Sequence, residues 1–305
     1  MPTERPFWPR HSPHFMRLRV AVRPFDGPAV IGLSGGADSL SLVAAAAAEG
    51  KNIDAVVVDH GLQEGSREVA ENAAQQARDL GVTARVVAVN VAGENIEAAA
   101  REARYAALHN EAGDRDVWVA HTADDQAETL ILGALRGNPA GMSVRSEKLV
   151  RPLLTTRRAD TVAACEELGL KVWHDPMNHD PAYRRVRVRH EVIPLLSEIL
   201  GGDATSPLAT TANRIAEDNS YIEAHLETGL EATTDCATLA ADPPALRTRK
   251  VARWLNDLGV GASQSSISDV LALCTNWHGQ GPVYVGGGLQ VRRIEGRLRA
   301  TLEES

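Results

Sequence analysis

Short apolar runs alternate with longer segments of helical periodicity through the first half of the chain. The runs that predict β-strands are Ala29–Leu33, Ile53–Asp59, Thr83–Val89 and Asp116–His121. The segments that predict α-helices after them are Ser39–Glu49, Ser66–Leu80, Asn95–Ala112 and Asp124–Leu135. Strands that are apolar throughout and separated by helices are typical of a sheet buried on both faces. The pattern therefore predicts an α/β fold in which helices cover both faces of a parallel sheet.

Local signals mark where some of these helices begin and end. Thr122 and Asp125 have the spacing of a capping box, which favours a helix start at this point. Two further helices are predicted, Arg157–Leu168 and Val186–Leu200. Pro194 lies inside the second one and lacks a backbone N–H, so we expect it to disturb that helix.

The composition shifts at Gly201-Gly202-Asp203, which is typical of a linker. We therefore expect a larger catalytic domain over residues 1–200 and a smaller domain over residues 204–305. The smaller domain is predicted to be rich in helix and to end in a β-hairpin. Its predicted elements are three helices, from Pro207 to Leu226, from Pro243 to Gly259 and from Ser266 to Thr275, and two strands, Val283–Val285 and Leu289–Ile294.

The composition is that of an ordinary globular protein, since 44% of the 305 residues are hydrophobic and 24% are charged. No apolar run has the length of a membrane span, and the N-terminus has no hydrophobic stretch of the kind found in secretory signals. We therefore expect a cytoplasmic protein with no membrane partner. Three scattered cysteines favour reduced thiols over a disulfide framework. They are Cys165, Cys236 and Cys274.

The net charge of −8 argues weakly against a nucleic-acid partner, but the positive charges are clustered. Most of them are arginines, which bind phosphate better than lysines do. Compositional bias explains the arginine preference equally well, so the clustering is the stronger observation. The three basic stretches contain Arg5, Arg10, Arg17, Arg19 and Arg23; Arg136, Arg145, Lys148, Arg151, Arg157 and Arg158; and Arg184, Arg185, Arg187 and Arg189.

A glycine-rich turn, Ser34-Gly35-Gly36-Ala37-Asp38-Ser39, follows the first predicted strand and precedes the first predicted helix. Such a turn directs backbone N–H groups and a helix dipole toward phosphate. Asp38 is a candidate ligand for Mg²⁺ beside the phosphates. No lysine follows, so the turn is not the loop of the kinase-like nucleotidases. An ordinary strand-to-helix turn is the alternative, because Gly and Ser are common in turns.

Polar residues also follow the second and fourth predicted strands. Asp59 and His60 end the second strand, and His121 ends the fourth. Asp124, Asp125 and Glu128 then lie within the first turns of one helix, where they cluster. Helix-dipole complementation explains one or two of these acids. Because the ends of parallel strands meet at one edge, we expect a shared catalytic or binding site there.

A further candidate site lies on the third predicted helix. Arg101 and Arg104 are three residues apart on it, and Tyr105 is adjacent. Taken alone, this segment is best explained as a solvated face in which Glu97 pairs with Arg101.

Seven motifs together resemble the tRNA(Ile)-lysidine synthetase family, a branch of the PP-loop ATP pyrophosphatases. The resemblance runs in order from about Val30 to Leu196 and implies a Rossmann-like PP-loop fold. Beyond Gly201 it extends only to the size and helical character of the small domain. The motifs are Ser34–Ser39, Asp59–Leu62, Asn95–Tyr105, Ala120–Thr129, Arg151–Leu154, Trp173–Asn178 and Arg185–Leu196.

The resemblance implies an ATP-dependent ligase that adenylates C2 of the wobble cytidine in a tRNA(Ile) with a CAU anticodon. The ε-amine of free L-lysine then displaces AMP to give lysidine. ATP and Mg²⁺ are the implied cofactors, and the small domain is expected to bind tRNA or to form a homodimer. The implied catalytic residues are Asp38, Asp124, Asp125 and Glu128, with Asp38 also the metal ligand. The implied cofactor-binding residues are Ser34, Gly35, Gly36, Ala37, Asp38, Ser39, Asp59 and His60. The implied substrate-binding residues are Arg101, Arg104, His121, Arg185, Arg187 and Arg189.

The chain departs from the family pattern at two places that concern tRNA recognition. Val186 stands where the family has an Asn, and the glycine-rich stretch after Gly137 is shortened to residues 138–142. Two alternative functions stay open. A tRNA thiolase of the same superfamily would need a cysteine pair or a persulfide carrier, and a non-catalytic RNA-binding protein would be expected to lose the acidic residues.

Overall fold

The computed structural model describes residues 8–9, 11–61, 65–90, 96–226 and 234–302. The chain divides into two compact units, Met1–Glu217 and Asp218–Ser305, which we call the first and second units. Each unit has its own hydrophobic core.

The first unit is built on a six-stranded sheet in the order β3-β2-β1-β4-β6-β5. All neighbouring strands pair in parallel except β5 and β6. Strands β1 to β4 confirm the predicted ones, whereas β5 and β6 are too short to have been recognised by periodicity. The strands are β1 (Ala29–Gly32), β2 (Ile53–Asp59), β3 (Thr83–Ala88), β4 (Asp116–Trp118), β5 (Arg145–Ser146) and β6 (Leu149–Val150).

Helices cover both faces of this sheet. Ile31 of β1 lies in the core cluster beneath one layer of helices, whereas its neighbour Val30 packs with Leu108 on the opposite face. Alternate residues of a strand point to opposite faces, so both faces are buried, and the predicted fold class is confirmed. The helices are α1 (Pro13–Val22), α2 (Ala37–Ala48), α3 (Ser66–Asp79), α4 (Ile96–Ala112), α5 (Ala123–Ala134) and α6 (Arg158–Leu168). The predicted start of α4 at Asn95 lies outside the described residues.

Helix α1 was not predicted, because its arginines suggested a basic segment. Phe15, Leu18 and Val22 are fully buried on its inner side. Its basic residues form ion pairs with carboxylates of the first unit: Arg17 with Asp160, and both Arg19 and Arg23 with Glu49. The described part of this basic stretch is therefore a structural surface. Arg5 and Arg10 lie outside the described residues.

The predicted helix Val186–Leu200 is divided into three segments. Helix α7 (Arg184–Arg187) is followed by a π-helical turn (Val188–Val192) and then by α8 (Ile193–Leu200). Pro194 lies in the first turn of α8 and cannot donate a backbone hydrogen bond. The wider turn just before it accommodates that missing bond, so the expected disturbance is present.

Helix α9 (Thr205–Leu226) begins in the first unit and ends in the second. The Gly201-Gly202-Asp203 turn precedes α9, and the two units divide within the helix. The first half of α9 belongs to the first unit because Ala209 and Ala212 are buried there. The boundary expected from composition lies at the turn before α9, whereas the division between the two compact units lies inside α9.

The second unit places helices against a three-stranded antiparallel sheet in the order β7-β8-β9. The predicted hairpin is present as β7 and β8, and β9 adds an edge strand. The elements are α10 (Cys236–Ala241), α11 (Pro244–Asp257), α12 (Gln264–Thr275), β7 (Val283–Gly286), β8 (Leu289–Ile294) and β9 (Arg297–Leu302).

Within the described ranges, every helix is too short or too polar to cross a lipid bilayer. The three cysteines are buried free thiols. Cys236 and Cys274 lie in the core of the second unit with their Sγ atoms 2.9 Å apart, and Cys165 lies in the core of the first unit.

Candidate active site

The candidate residues of the first unit gather at the carboxyl ends of β1, β2 and β4. The chain runs from β1 outward through β2 to β3 and then returns to β4 on the other side of β1. The crevice between β1 and β4 is therefore the switch point at which parallel sheets bind ligands. Ser34–Ser39 leaves β1 at this crevice, and His121 leaves β4 beside it.

The glycine-rich turn forms a cradle at the N-terminus of α2. Gly35 has φ +83°, and a Cβ there would lie 3.3 Å from the Cβ of Ala73, so glycine is required. The Ser34 N–H donates to Ser39 Oγ at 3.1 Å, and Ser39 Oγ donates to the Gly36 carbonyl at 3.1 Å. A Cβ at Gly36 would meet only Ser34 Oγ, at 3.6 Å, which is ordinary van der Waals contact. The cradle thus presents backbone N–H groups and a helix dipole, as an anion requires.

The back of this cradle is held by α3 and by the segment after α6. The Trp173 N–H donates to the Gly35 carbonyl at 3.0 Å. The Gln76 side chain pairs with both backbone groups of Lys171, at 2.9 and 2.7 Å. These bonds fix the Trp173 motif against the cradle, beside a cleft of about 590 Å³.

Asp38 lies in the first turn of α2, next to the cradle. Its carboxylate accepts a hydrogen bond from Thr161 Oγ1 and lies 3.5 Å from Arg158 Nε. Burial raises the pKa of Asp38, and the positive charge of Arg158 only partly opposes this. Asp38 is therefore a desolvated carboxylate held in place by two residues of α6.

The acids of α5 accept hydrogen bonds from the start of their own helix and from Arg158 of α6. Asp125 Oδ2 accepts from the Thr122 N–H at 2.8 Å, which confirms the predicted capping box. Asp125 Oδ1 accepts from Arg158 Nη2 at 2.8 Å. Burial alone would raise the pKa of Asp125, but Arg158 and His121 outweigh it and hold the pKa below its usual value. Asp124 accepts from the Arg158 backbone N–H at 2.7 Å.

Glu128 is completely buried among three guanidinium groups. Its carboxylate oxygens lie 3.1 Å from Arg158 Nη1, 2.9 Å from Arg185 Nε and 2.7 Å from Arg189 Nε. Glu128, one of the implied catalytic residues, is thus already paired with three arginines. Arg185 and Arg189 point into the acidic cluster, whereas Arg187 stays at the surface and pairs with Glu191 at 2.8 Å.

Arg158 is the residue that sequence reasoning missed. It touches all four predicted catalytic acids, through its guanidinium to Asp38, Asp125 and Glu128 and through its backbone to Asp124. One sequence signal could have identified it. Arg158 is the first residue of α6, and a cation at a helix N-terminus opposes the helix dipole. Such a position requires carboxylates from elsewhere in the fold.

His121 lies beside this cluster as a neutral imidazole. Arg151 Nε donates to His121 Nδ1 at 3.2 Å, so Nδ1 carries the lone pair. Burial lowers the pKa of His121 to about 4. His121 is therefore able to donate a hydrogen bond from Nε2 to a ligand at neutral pH.

A second basic pocket lies at the end of β2. The guanidinium carbons of Arg101 and Arg104 lie 4.9 and 5.6 Å from the centre of the Tyr105 ring. Within the described residues, neither guanidinium has a carboxylate within 4 Å. His60 Nδ1 is buried there without a hydrogen-bond partner, and burial and then Arg104 lower its pKa. The pocket is therefore suited to an anionic or polar ligand. The alternative pairing of Arg101 involves the Glu97 side chain, which lies outside the described residues.

Comparison with protein families gives two matches in order along the chain. Residues 18–196 match the PP-loop domain, and residues 235–299 match the TilS substrate binding domain. The first match spans the sheet and every candidate residue of the first unit, and the second spans most of the second unit.

Full-length relatives cover nearly the whole chain. It is 49% identical to the tRNA(Ile)-lysidine synthase of Corynebacterium glutamicum, over 96% of either protein. It is 53% identical to the enzyme of that name from Corynebacterium diphtheriae, over 96% of this chain and 98% of the relative. Among solved structures, the U34-tRNA thiolase NcsA from Methanococcus maripaludis shares the fold. It has a TM-score of 0.55 and 16% identity, over 68% of this chain and 81% of that one.

Proposed function

Because the chain belongs to the tRNA(Ile)-lysidine synthase family, we propose that it joins the ε-amine of free lysine to C2 of the wobble cytidine in tRNA(Ile). ATP is split into AMP and pyrophosphate in the process. The observation that carries the proposal is a phosphate cradle and an acid–arginine cluster that share Asp38 and Arg158 at one sheet edge.

The first half-reaction transfers AMP to the C2 carbonyl oxygen of the cytidine, and pyrophosphate leaves. The cradle residues Ser34–Ser39 are proposed to hold the phosphates through backbone N–H groups and hydroxyls. The donor set fits Mg²⁺, because Asp38 supplies a hard carboxylate oxygen beside the cradle and phosphate oxygens would complete the coordination. Asp59 and His60, at the end of β2, are proposed to contact the nucleotide from the adjacent strand.

In the second half-reaction, the amine nitrogen of lysine forms a bond to C2, and AMP leaves with the oxygen. The amine must lose a proton before or during this attack. Asp124 and Asp125 are proposed to attract the ammonium group and to accept that proton. Glu128 is already paired three times, so we assign it the task of orienting Arg158, Arg185 and Arg189 around the reacting groups.

Arg101, Arg104 and His121 are proposed to bind the substrates. The two arginines have no carboxylate within 4 Å among the described residues, and their guanidinium groups are suited to the lysine α-carboxylate or to a tRNA phosphate. His121 offers its Nε2–H to a carbonyl oxygen such as O2 of the cytidine. Arg187 is proposed to contact the tRNA backbone at the surface. A homodimer stays a prediction.

The two alternative functions are not favoured. The relatives of high identity are tRNA(Ile)-lysidine synthases, and the likeness to a thiolase is one of fold. Burial raises the pKa of the Cys165 thiol to about 12, so it is a poor sulfur nucleophile. A non-catalytic RNA-binding protein would have no need for four acids that all contact Arg158 at one sheet edge.

The test is an assay with tRNA(Ile), lysine and ATP in which each substrate is omitted in turn. We expect AMP release to need tRNA, and lysidine to form only when lysine is also present. AMP release that needs a sulfur donor in place of lysine would support a thiolase. The absence of any tRNA-dependent AMP release would contradict both enzymatic functions.

A further inference from the structure

Two cysteines lie side by side in the core of the second unit. The Sγ atoms of Cys236 and Cys274 are 2.9 Å apart, which is closer than two sulfur atoms normally approach without a bond. Cys236 is 1% exposed and Cys274 is 8% exposed, and both are free thiols. Because 38 positions separate the two residues, the pair is not recognisable from sequence spacing.

The two thiols are carried by elements that the core holds in place. Cys236 is the first residue of α10, and its backbone N–H donates to the Gly296 carbonyl of the β8–β9 turn at 2.8 Å. Cys274 lies in the last turn of α12, where Val270 and Leu273 are fully buried. The short distance is therefore imposed by packing. A disulfide bond of about 2.0 Å requires only a small further approach of the two sulfurs.

The hydrogen bond within the pair distinguishes the two sulfurs. Cys274 Sγ donates to Cys236 Sγ, so a thiolate at Cys236 would be stabilised by the neighbouring S–H. Burial, followed by the hydrogen bond with Cys236, raises the pKa of Cys274. Cys236 is therefore the sulfur that can react first as a thiolate, and Cys274 is the thiol placed to attack the product.

Cys165 in the first unit lacks this arrangement. Its Sγ donates to the Ala37 carbonyl at 3.4 Å, and the other two cysteines belong to the second unit. Burial raises the pKa of the Cys165 thiol to about 12. Cys165 is thus a buried thiol without a second thiol beside it, and it provides an internal comparison for the pair.

We propose that Cys236 and Cys274 are a modification site at which hydrogen peroxide converts the two thiols into a reversible disulfide. The Cys236 thiolate attacks one peroxide oxygen, the O–O bond breaks, and the other oxygen leaves as water after protonation. Cys274 then attacks the resulting sulfenic acid, loses its proton and displaces the second water. Two thiols and one peroxide thus give one disulfide and two waters, and the peroxide gains the two electrons that the sulfurs lose.

The disulfide would close a loop that contains α10, α11 and α12. Such a cross-link reduces the conformational freedom of the open state and so stabilises the closed one. We therefore expect oxidation to make the second unit harder to open and to leave the first unit unchanged. The proposal does not depend on the proposed function, because neither cysteine belongs to the candidate active site.

The first test exposes the folded, fully reduced chain to hydrogen peroxide and identifies cross-linked peptides by mass spectrometry. We expect a Cys236–Cys274 cross-link that lacks two hydrogen atoms, and dithiothreitol should restore both thiols. Cys165→Ala is the matched control and should form the same cross-link at the wild-type rate. A pair that stays reduced, or a cross-link that involves Cys165, would overturn the proposal.

The second test separates the roles of the two sulfurs with dimedone, which traps sulfenic acids. Cys274→Ala should accumulate sulfenic acid at Cys236, because the attacking thiol of the second step is absent. Cys236→Ala should be trapped at Cys274 at least about tenfold more slowly. Equal trapping in the two variants would contradict the order of attack.

The third test measures amide hydrogen exchange in the wild type before and after oxidation, so it does not depend on the stability of a variant. Helix α11 lies between the two cysteines in the sequence, and its exchange should slow by about a hundredfold or more in the oxidised chain. Exchange in α4 of the first unit should not change. Exchange in α11 that is no slower after oxidation would overturn the stabilising role of the cross-link.

Discussion

Asp38 and His121 are partly buried side chains whose neighbours determine their charge. Asp38 is desolvated beside the phosphate cradle, and its hydrogen bonds come from Thr161 and Arg158. His121 receives a hydrogen bond from Arg151 and is neutral at physiological pH. The two residues therefore differ in what a substitution should change: catalysis for Asp38, and the acid stability of the fold for His121.

Replacing Asp38 by Asn should strongly slow AMP formation and leave the fold intact. The amide oxygen can still accept the hydrogen bond from Thr161, but it no longer supplies a negative oxygen for a cation beside the cradle. We expect tRNA-dependent AMP release to fall by a factor of about 100 or more. Asp26→Asn, at an exposed acid paired with Lys51, is the control. A folded variant that releases AMP at the normal rate would contradict the assignment of Asp38.

The low pKa of His121 predicts a loss of stability in mild acid. Its pKa is 6.5 in the unfolded chain and about 4 in the folded one. The native state thus binds fewer protons, and the stability that His121 contributes is present above pH 6.5 and is lost as the pH falls toward 4. His121→Gln should reduce this acid-side loss in the free energy of unfolding by about 3 kcal/mol. Urea unfolding between pH 4 and 7 measures it.

The control for that experiment is His109→Gln, at an exposed histidine of α4. This variant should retain the full acid-side loss. If His121→Gln also retains it, the imidazole is protonated in the native state and the bond from Arg151 to Nδ1 is not formed.

At the scale of elements, the N-terminus of α6 joins two sites. Arg158 is the first residue of this helix, and its guanidinium contacts Asp38 of α2 and Asp125 of α5. Without those acids, two adjacent arginines at a helix N-terminus would be unfavourable, because the dipole has the same sign there. The position of α6 is therefore fixed by the same ion pairs that connect the nucleotide cradle to the proposed amine site.

Replacing Arg158 by Lys should impair both half-reactions. An ammonium group is compact and cannot hold three carboxylates at once as a planar guanidinium does. We expect the free energy of unfolding to fall by about 3 kcal/mol, because Glu128 loses one partner in a buried site. AMP release and the lysine-dependent step should both slow by about tenfold or more. Single-turnover measurements of each step, with unfolding in urea, provide the readouts.

Arg157→Lys tests whether this effect belongs to Arg158 alone. Arg157 is adjacent and pairs with Asp124 and Asp203 at partly exposed positions, where the loss should be small. Normal AMP release in Arg158→Lys, or an equal loss in both variants, would contradict a connecting role for Arg158.

The sequence predicted the elements with strong periodicity and missed those that depend on distant partners. Strands β1 to β4 and the helices between them are recognisable because each carries its own apolar pattern. Helix α1 was missed because arginines alternate with its few buried apolar residues and weaken the helical pattern. Strands β5 and β6 were missed because each is only two residues long. The same reason explains why the role of Arg158 and the ion pairs of Glu128 were not predicted. Their types are visible in the sequence, but their partners lie 30 or more residues away.

At the scale of the whole molecule, the shortened loop after Gly137 has a structural role. Gln126 of α5 binds both backbone groups of Met142 and also the Asn213 side chain on α9. Gly141 packs so closely on α9 that a Cβ there would lie 1.9 Å from the Ala212 carbonyl oxygen. The loop therefore fastens the first half of α9 to the first unit, and α9 in turn continues into the second unit.

Gly141→Ala should detach α9 from this loop. Its backbone conformation is accessible to alanine, so the added methyl group acts only through the clash with the Ala212 backbone. We expect the free energy of unfolding to fall by about 1 to 3 kcal/mol, as for other overpacked sites, and proteolysis to become faster between residues 200 and 226. Gly202→Ala is the control, because a Cβ there meets nothing within 4 Å and the backbone is also not left-handed. Unchanged stability in Gly141→Ala would mean that α9 is not held by the loop. A loss of stability confined to Gly141→Ala would identify this loop as the anchor of the helix that joins the two units.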